Sequence, residues 1–294
     1  MTKLTIAIPT FNRANRLEKS LRNLLQQVKS SGFSSDLEIL VSDNGSDDDT
    51  QQVILALQPF FIKIGVAFTH IENDENLGVD ENIRRCYQSA SGDYVWFVSD
   101  DDNLYTDSIS SVMSELANKS VGAIFFNFNQ TPYGLDSPLI KERVKINTIN
   151  EDNIACLKNV YRWPKLTAMV VKNIDLSLAL HENLFTHIEI FMRVVLKVGG
   201  FVSSPKFIAY PDDDFMDHID FVPYVGNWTN KQLRIFLTEV NLSDSYETLC
   251  IPELSVLGIS LQWLGAYYRD NFKLNDSLRA KLWQDVYKEL RWKN

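Results

Sequence analysis

The chain of 294 residues is acidic, with a formal net charge of −9, and 45% of its residues are hydrophobic. This length and composition predict a folded protein with one large domain, or a main domain with a smaller appendage, and exclude a disordered chain. The negative charge argues against nucleic acid as a partner, because non-specific binding to nucleic acid depends on a basic surface.

The first half of the chain alternates strand and helix signals in a regular order. Strand-like apolar runs cover 3–9, 37–42, 64–71, 94–98 and 121–128, and helical patterns separate them over 13–30, 48–57, 80–91 and 107–118. Strands that alternate with helices of this length form parallel sheets with helices on both faces. We therefore predict an α/β fold with a mostly parallel sheet.

The second half is less regular. Residues 131–150 predict an irregular connection, because they contain two prolines and a glycine. A β-like run over 160–171, a helix over 187–198 and a strand over 201–210 follow, and helices are predicted over 232–240, 253–268 and 276–292. We predict a main α/β domain over residues 1–225 and a C-terminal helical appendage over 226–294.

The sequence predicts a cytoplasmic protein. The three cysteines, Cys86, Cys156 and Cys250, are far apart and form no pair, which is typical of reduced thiols. No stretch approaches the ~20 apolar residues of a membrane-spanning helix, and a strand-like run begins at Lys3, which leaves no room for a signal peptide. The amphipathic segment 273–294 keeps two interpretations: a peripheral helix at the inner face of the membrane, or a helix packed on the core.

Three consecutive aspartates, Asp100, Asp101 and Asp102, follow the apolar run 94–98. Carboxylates crowded at the end of a buried strand repel one another and lose hydration. A bound cation relieves both penalties, and hard oxygen ligands suit Mg²⁺ or Mn²⁺. The alternative is a solvated acidic turn that caps the next helix, because Asp and Asn favour turns and helix N-termini.

Polar segments follow each of the first four strands. They are Pro9-Thr10-Phe11-Asn12-Arg13, Ser42 to Asp48, Asn76-Leu77-Gly78 with Asn82, and Ser99 to Asn103. Each segment alone has the composition of an ordinary turn. Because ligands of open α/β sheets bind outside the carboxyl ends of the strands, four such segments in order predict one ligand-binding crevice.

With these segments the sequence resembles the family 2 glycosyltransferases of the GT-A fold. Their N-terminal halves carry a P-x-[YF]-N-R opening, a D-[DN]-G-S-x-D turn, an N-x-G segment and a D-x-D-type metal motif after G-D-Y. The S-D-D-D ending and the helical C-terminus are also similar to abequosyltransferase-like enzymes of bacterial surface polysaccharide synthesis. The resemblance implies a Rossmann-like, inverting transferase that moves a sugar from a nucleotide-diphosphate donor to a hydroxyl of a surface-glycan or lipid-linked oligosaccharide acceptor.

The resemblance also implies where the nucleotide-diphosphate sugar donor binds. Phe11 would line the base pocket, Pro9 would shape the turn, and Arg13 would lie close to the nucleotide. Asp43 would accept a hydrogen bond from an imino N–H of the base, although an Asx-turn also explains an aspartate there. The remaining implied donor-binding residues are Asn76, Gly78, Asn82 and Asp100.

The residues that follow Asp43 are interpreted differently. Asn44 stands where the family commonly has a second aspartate, and it keeps the hydrogen-bonding turn. Asp47, Asp48 and Asp49 would complement the positive N-terminal end of the next helix.

A divalent cofactor, Mn²⁺ or Mg²⁺, is implied at the acidic cluster. Aligned from Gly92-Asp93-Tyr94, the first aspartate of the family's metal motif falls on Ser99, which is a departure, and the second falls on Asp101. Asp101 is the first choice of metal ligand, and Asp102 becomes the ligand if the register slips by one residue. The ion would stabilise negative charge on the leaving diphosphate.

The catalytic base is implied at the start of the helix predicted over 187–198. Counting back from Arg193 places the family's usual aspartate at His187 and a second acid at Glu189. Histidine suits proton abstraction near neutral pH, since its unperturbed pKa is ~6.5. Thr186 and Glu189 also fit a capping box, in which the glutamate bonds to the backbone N–H of Thr186. A structural polar contact is the alternative role of His187.

Two further functions stay open on the sequence alone. One is a non-catalytic homologue that binds sugar nucleotides, because Ser99 and His187 both depart from the usual pattern. The other is a sugar-nucleotide pyrophosphorylase, which the lack of glycine over residues 9–16 disfavours. A second acidic run over 212–214, with His218 nearby, is either a solvated turn or part of a substrate-covering loop.

Overall fold

The structure, a computed structural model, describes residues 3–117, 121–129, 138–151, 153–157, 160, 165–176, 186–211, 233–235 and 237–245. The chain divides into two compact units, Met1–Phe215 and Met216–Asn294. In the second unit residues 233–235 and 237–239 are helical, inside the helix predicted over 232–240. The other predictions beyond residue 211, including the acidic run 212–214, His218 and the segment 273–294, lie outside the described residues, and the domain boundary at residue 225 stays a prediction.

Five α-helices and ten strands are defined in the described part of the first unit. In chain order they are β1 (Leu4–Thr10), α1 (Ala14–Ser31), β2 (Leu37–Asp43), α2 (Thr50–Lys63), β3 (Ala67–Glu72), α3 (Val79–Ser89), β4 (Tyr94–Phe97), β5 (Asp102–Leu104), α4 (Ser108–Leu116), β6 (Ala123–Asn127), β7 (Val144–Ile146), β8 (Met169–Lys172), α5 (Thr186–Val198), β9 (Phe201–Phe207) and β10 (Ala209–Pro211). Among the described residues, no helix combines the length and the apolar character needed to cross a lipid bilayer.

Eight of these strands form one mixed sheet, in the order β3-β2-β1-β4-β8-β6-β9-β7. β1 is parallel to β2 and β4, β2 is parallel to β3, and β6 is parallel to β9. β8 runs antiparallel to both β4 and β6, and β7 runs antiparallel to β9. The predicted α/β fold with a mostly parallel sheet is confirmed. β5 and β10 form a separate antiparallel pair, in which Asp102 lies opposite Pro211.

The core of the first unit packs α1 and the strands of the sheet together. The apolar stripe predicted on α1 is buried, and its members are Leu17, Leu21, Leu24, Leu25 and Val28. All four residues of β4 are buried, including Trp96 and Phe97, so this strand is covered on both faces. Burial of each large apolar side chain contributes ~1.5–3 kcal/mol. The acidic cluster therefore follows one of the most firmly held strands.

The predicted end of α2 at Leu57 is wrong. The helix continues through Pro59 to Lys63. Proline removes one backbone N–H from a helix interior and usually ends or kinks it. Pro59 lies on the exposed side of α2, where water can bond the carbonyl oxygen that loses its N–H partner.

Two predictions in the second half are also wrong in part. Residues 131–150 were predicted to be irregular, but they contain β7, whose backbone pairs with β9. Within the β-like run predicted over 160–171, β8 begins at Met169, after a short 3-10 turn at Leu166–Ala168, and residues 161–164 lie outside the described residues. Both segments pair with strands that are distant in sequence. The residue pattern of a single strand is a weak predictor of such pairing.

Glu38, at the start of β2, is a buried carboxylate at the sheet edge opposite the polar segments. It is 6% exposed. Its oxygens accept hydrogen bonds from the hydroxyls of Thr5 (2.5 Å) and Thr69 (2.8 Å) and from the backbone N–H (2.9 Å) and hydroxyl (2.8 Å) of Ser91. Burial acts to raise the pKa of Glu38, but these donors outweigh it and lower the pKa below 4.5.

We expect Glu38→Gln to lower the free energy of unfolding by about 1–3 kcal/mol at pH 7. The NH₂ group of glutamine is a donor, and it would face other donors where the carboxylate accepts hydrogen bonds from Thr5, Thr69 and Ser91. A carboxyl whose pKa is lowered by folding stabilises the fold above its unfolded pKa, and this contribution is lost as the pH falls through the folded pKa. The difference between variant and wild type should therefore shrink below about pH 4.5. Urea unfolding from pH 3 to pH 8 measures it.

Glu18→Gln is the matched control for Glu38→Gln. Glu18 is a surface residue that pairs with Arg22, one turn along α1, at 2.7 Å. Such pairs contribute about 0.3–0.5 kcal/mol. Equal loss of stability in the two variants would contradict the assignment of Glu38 as a buried anchor.

Candidate active site

The carboxyl ends of β1, β2 and β4 meet at one edge of the sheet. Thr10, the last residue of β1, is paired with Asp43, the last residue of β2. The N–H of Val98, just past β4, donates to the carbonyl oxygen of Ala7 in β1 at 2.9 Å. β6 is parallel to β4, since both are antiparallel to β8, and β9 is parallel to β6. Because α5 returns the chain to the start of β9, its first turn lies at this same edge.

Asp43 combines a satisfied oxygen with an unsatisfied one. The residue is 1% exposed. Its Oδ1 accepts the backbone N–H (3.1 Å) and the hydroxyl (2.5 Å) of Ser46, which is the contact expected of an Asx-turn. Its Oδ2 is buried, and within the described part of the chain no donor contacts it. Buried polar atoms are nearly always hydrogen-bonded, so this oxygen is suited to accept an N–H from a bound ligand.

Asn44 joins the turn after β2 to the loop after β3. Its Nδ2 donates to Oδ1 of Asn76 (2.8 Å) and to the carbonyl oxygen of Gly78 (3.2 Å), and its Oδ1 accepts from Nδ2 of Asn73 (2.8 Å). An aspartate has no donor for Asn76 or Gly78. This explains why asparagine stands here, and it holds Asn76 and Gly78 beside the turn that carries Asp43.

The loop between β1 and α1 is tied to the turn after β2. Asn12 adopts a left-handed φ of 51°, a conformation that asparagine tolerates. Its Oδ1 accepts the N–H of Asp47 at 2.9 Å. Phe11 beside it is 36% exposed and offers an aromatic face for stacking. Pro9, which is half-buried in β1, precedes this loop.

Asp48 caps two helices at once. Its Oδ2 accepts the N–H of Ala14, the first residue of α1, and its Oδ1 accepts the N–H of Thr50, the first residue of α2, both at 2.9 Å. The N–H groups of a first helical turn have no partner inside the helix, and a carboxylate there also complements the helix dipole. These contacts match the structural interpretation of the acids after Asp43.

Arg13 bridges two of the three aspartates. Its Nη1 lies 2.8 Å from Oδ1 of Asp100 and 3.3 Å from Oδ2 of Asp101. The Oδ2 of Asp100 accepts the hydroxyl of Thr10 at 2.7 Å. Burial raises the pKa of Asp100, and the charge of Arg13 opposes that rise. With donors from the chain on both oxygens, Asp100 anchors the cluster to β1 and α1.

The fully buried carboxylate of Asp102 forms an ion pair with Lys165, whose side chain is 24% exposed. Its Oδ1 lies 2.5 Å from Nζ of Lys165, and its Oδ2 accepts the hydroxyl of Thr167. Thr167 Oγ1 in turn accepts the N–H of Ser99 at 3.0 Å. Burial raises the pKa of Asp102, and the charge of Lys165 opposes that rise.

Lys165 and Thr167 belong to the acidic cluster although the sequence alone does not predict them there. They lie in and just before the short turn that leads into β8, and no periodicity or motif marks them. Only the insertion of β8 beside β4 brings them to the acidic cluster.

Asp101 is the most accessible of the three aspartates. Its side chain is 22% exposed, against 2% for Asp100 and 0% for Asp102. The hydroxyl of Ser99 donates to its Oδ1. Ser99 therefore orients Asp101.

The donor set at this edge can be compared with what a divalent ion needs. In the ranges described, no three His, Cys, Asp or Glu side chains are arranged to hold a metal ion by themselves. Mg²⁺ is commonly held by one or two carboxylates, water and the phosphates of a substrate. Asp101, the most accessible of the three aspartates, is the carboxylate that fits an ion of this kind, and its two oxygens also contact Ser99 and Arg13.

Asn82 of α3 is buried, and both the oxygen and the nitrogen of its side-chain amide form hydrogen bonds within the chain. Its Oδ1 accepts the hydroxyl of Ser42 at 2.6 Å. Its Nδ2 donates to the carbonyl oxygens of Ser42 (3.0 Å) and Thr10 (3.4 Å). Asn82 thus fixes α3 to the ends of β1 and β2.

The first turn of α5 carries His187 and Glu189, and both side chains are buried. Oε1 of Glu189 lies 2.7 Å from Nε and 2.6 Å from Nη2 of Arg193, one turn further along α5. The N–H of Thr186 donates to Oδ1 of Asp80 in α3 at 3.0 Å. The capping-box prediction is therefore wrong, because the N–H of Thr186 donates to Asp80 of α3 and not to Glu189.

This edge of a mostly parallel sheet brings together an aspartate cluster, an exposed aromatic residue and a buried acceptor, the arrangement that the resemblance to GT-A sugar transferases implied. The family description "Glycosyl transferase family 2" matches residues 5–173 of the chain. The chain belongs to glycosyl transferase family 2, as the resemblance of its motifs implied.

Curated relatives are also glycosyltransferases. The chain is 25% identical to abequosyltransferase RfbV of Salmonella typhimurium over 281 residues, which are 85% of this chain and 80% of that protein. It is 35% identical over 127 residues to the GalNAc(5)-diNAcBac-PP-undecaprenol beta-1,3-glucosyltransferase of Campylobacter jejuni, which is 43% of this chain. The match spans only 38% of the length of the Campylobacter protein.

Solved structures share the fold. S. aureus TarS in complex with UDP-GlcNAc superimposes with a TM-score of 0.61 at 14% identity, over 98% of this chain and 81% of that one. The mannosyltransferase PcManGT from Pyrobaculum calidifontis, in complex with GDP-Man and Mn²⁺, gives a TM-score of 0.57 at 16% identity, over 100% of this chain and 88% of that one. The expected GT-A fold is confirmed.

Proposed function

We propose that the protein is an inverting glycosyltransferase that moves a sugar from a nucleotide-diphosphate donor to a hydroxyl of a surface-glycan or lipid-linked oligosaccharide acceptor. The observation that carries this proposal is Oδ2 of Asp43, a buried acceptor at the end of β2 that no described donor contacts. An imino N–H of a nucleobase would supply that donor. The exposed ring of Phe11 would stack on the same base.

Asp101 and Arg13 would face the diphosphate of the donor. Asp101 would hold Mn²⁺ or Mg²⁺ together with diphosphate oxygens, and such an ion, when bound, neutralises the charge that develops on the leaving group. Arg13 fixes the spacing of Asp100 and Asp101 through its Nη1. Lys165 offsets the charge of Asp102, so the cluster repels an approaching diphosphate less strongly.

His187 would take the proton of the acceptor hydroxyl as that oxygen attacks the anomeric carbon. In-line attack, with the bond to the diphosphate breaking on the opposite side, inverts the configuration of the sugar. Glu189 is the second candidate base, but its Oε1 already contacts the guanidinium of Arg193 at 2.6 Å.

The names of the relatives support this donor and acceptor class. RfbV is an abequosyltransferase, and the Campylobacter relative is named as a glucosyltransferase acting on an undecaprenol-linked glycan. The structures of TarS and PcManGT contain UDP-GlcNAc and GDP-Man respectively, the latter with Mn²⁺. A lipid-linked acceptor would bring this protein to the inner face of the membrane as a peripheral protein.

A protein that binds sugar nucleotides without transferring the sugar is the second candidate. Ser99 and His187 favour it, because both stand where the family usually has aspartate. Donor binding without turnover, unchanged by His187→Ala and Glu189→Ala, would identify this function.

Asp43→Asn tests the proposed donor site. Asparagine keeps Oδ1 for Ser46 but can place an N–H where the base N–H would bind. We expect the Kd for the preferred nucleoside diphosphate to rise about 10- to 100-fold, since hydrogen bonds to charged groups contribute about 1.5–3 kcal/mol. Calorimetric titration with UDP, GDP, CDP, ADP and dTDP in the presence of Mn²⁺ measures it.

Asp47→Asn is the matched control for Asp43→Asn. It removes the same charge from the same turn, but at an exposed side chain. Its Kd should stay within about twofold of wild type, because exposed charges are screened by solvent and salt. Wild-type affinity in Asp43→Asn would overturn the base contact.

A further inference from the structure

The first turn of α3 contacts the first turn of α5 through one side chain. Oδ1 of Asp80 accepts the N–H of Thr186, the first residue of α5, at 3.0 Å. That N–H has no acceptor inside its own helix. Asp80 is half-buried between the two helix starts. The position of the first turn of α5 therefore depends on a residue of α3.

The same segment of α3 is fixed to the donor side of the crevice. Asn82, two residues after Asp80, donates to the carbonyl oxygen of Thr10, and the hydroxyl of Thr10 donates to Asp100 at 2.7 Å. Gly78, which precedes the helix, accepts from Nδ2 of Asn44 at 3.2 Å. Asp80 thus lies between two contacts to the strand ends and one contact to α5.

The environment of Asp80 is an unfavourable one for a carboxylate. Burial raises the pKa of Asp80 to about 6, and the nearby charge of Glu189 acts in the same direction. A carboxyl with a raised folded-state pKa makes the fold less stable as the pH rises above its unfolded value. Hydrogen bonds from Thr186 act in the opposite direction, so the contact with α5 offsets part of the cost of a buried charge at Asp80.

We propose that Asp80 is a positioning residue for the transfer reaction: it holds the first turn of α5, and with it His187 and Glu189, at a fixed place relative to the donor site. This inference rests on the proposed function. A displacement of about 1 Å between reacting groups can lower a rate 10²-fold. An acceptor that fixes the helix start can therefore affect turnover without touching the substrate.

The test compares Asp80→Ala, Asp80→Asn and Glu81→Gln. Alanine removes the acceptor for Thr186, whereas asparagine keeps an Oδ1 in the same place. Glu81 lies in the same turn, but its carboxylate pairs with Arg84 and Arg85, so it controls for the loss of a charge at the start of α3.

We expect Asp80→Ala to lower kcat about 10- to 100-fold, with the donor KM and the donor Kd within about twofold of wild type. Asp80→Asn should recover most of the lost kcat, and Glu81→Gln should keep wild-type kcat. Melting temperatures of all variants are measured in parallel, so that rates are compared only between folded proteins.

Three outcomes overturn the inference. They are wild-type kcat in Asp80→Ala, an Asp80→Asn variant as slow as Asp80→Ala, and a loss of donor affinity equal to the loss of kcat. Failure of the proposed function is distinguishable, because the wild-type protein would then bind no donor or turn none over.

Discussion

Asp101→Asn is expected to lower kcat/KM for sugar transfer by about 10³-fold, while the free energy of unfolding stays within about 0.5 kcal/mol of wild type. A metal ion that offsets charge on a leaving group contributes several kcal/mol to the transition state, and ~4 kcal/mol corresponds to this factor. The side chain is 22% exposed, so its replacement leaves no buried charge unpaired. Initial rates with Mn²⁺, together with thermal unfolding, measure both quantities.

Asp102→Asn is the comparison that separates the two possible registers of the metal motif. The side chain of Asp102 is 0% exposed and is paired with Lys165. Asparagine at this position leaves Lys165, whose side chain is 24% exposed, without its carboxylate and breaks the buried contact to Thr167, and a buried group that loses its partner costs about 1–3 kcal/mol. We therefore expect a large loss of stability in this variant. Loss of activity at unchanged stability in Asp102→Asn, with a nearly wild-type Asp101→Asn, would assign the metal to Asp102.

His187→Ala is expected to lower kcat by about 10²–10⁴-fold, which is the usual contribution of general base catalysis. Donor affinity should not change, because His187 lies on α5 and not among the residues assigned to the nucleotide. Single-turnover transfer rates and calorimetric donor titration separate the two effects. An unchanged rate in a folded His187→Ala variant would contradict its assignment as the base.

Glu189→Gln tests the competing assignment. Because Glu189 is ion-paired with Arg193 inside the first two turns of α5, we expect the variant to lose stability and to keep a measurable rate at a temperature where it is folded. A rate that falls at least 10²-fold in Glu189→Gln, beside a rapid His187→Ala, would make Glu189 the base.

The sequence was sufficient for the part of the fold that rests on local periodicity. The apolar stripe of α1 repeats with the helical period, and the doubly buried β4 is a continuous apolar run. The helices and sheet strands predicted in the first half are present, although β3 begins at Ala67 and not at residue 64, and no pattern predicts the short strand β5. Because ligands of α/β sheets bind at the carboxyl ends of the strands, the sequence also predicted that the four polar segments lie at one edge of the sheet. The end of α2 was misjudged, because the exposure of Pro59 decides whether a proline ends a helix, and exposure is a tertiary property.

The candidate site was only partly predictable, because its decisive contacts join distant segments. Lys165 neutralises Asp102, and Asp80 caps α5, yet neither residue belongs to a motif. Asn44 illustrates the same point: its departure from aspartate is explained only when Asn76 and Gly78 are seen to need its donor. Contacts of this kind follow from topology, above all from the antiparallel β8 between β4 and β6.

Everything assigned to the crevice requires it to bind a nucleoside diphosphate through a divalent ion. Calorimetric titration of the wild-type protein with UDP, GDP, CDP, ADP and dTDP, each with and without Mn²⁺, is the sharpest test. We expect at least one diphosphate to bind, with a Kd about 10-fold or more lower when Mn²⁺ is present, a gain that Asp101→Asn should lose. No binding by any of the five, or binding that ignores both the ion and the replacement of Asp101, would contradict this assignment.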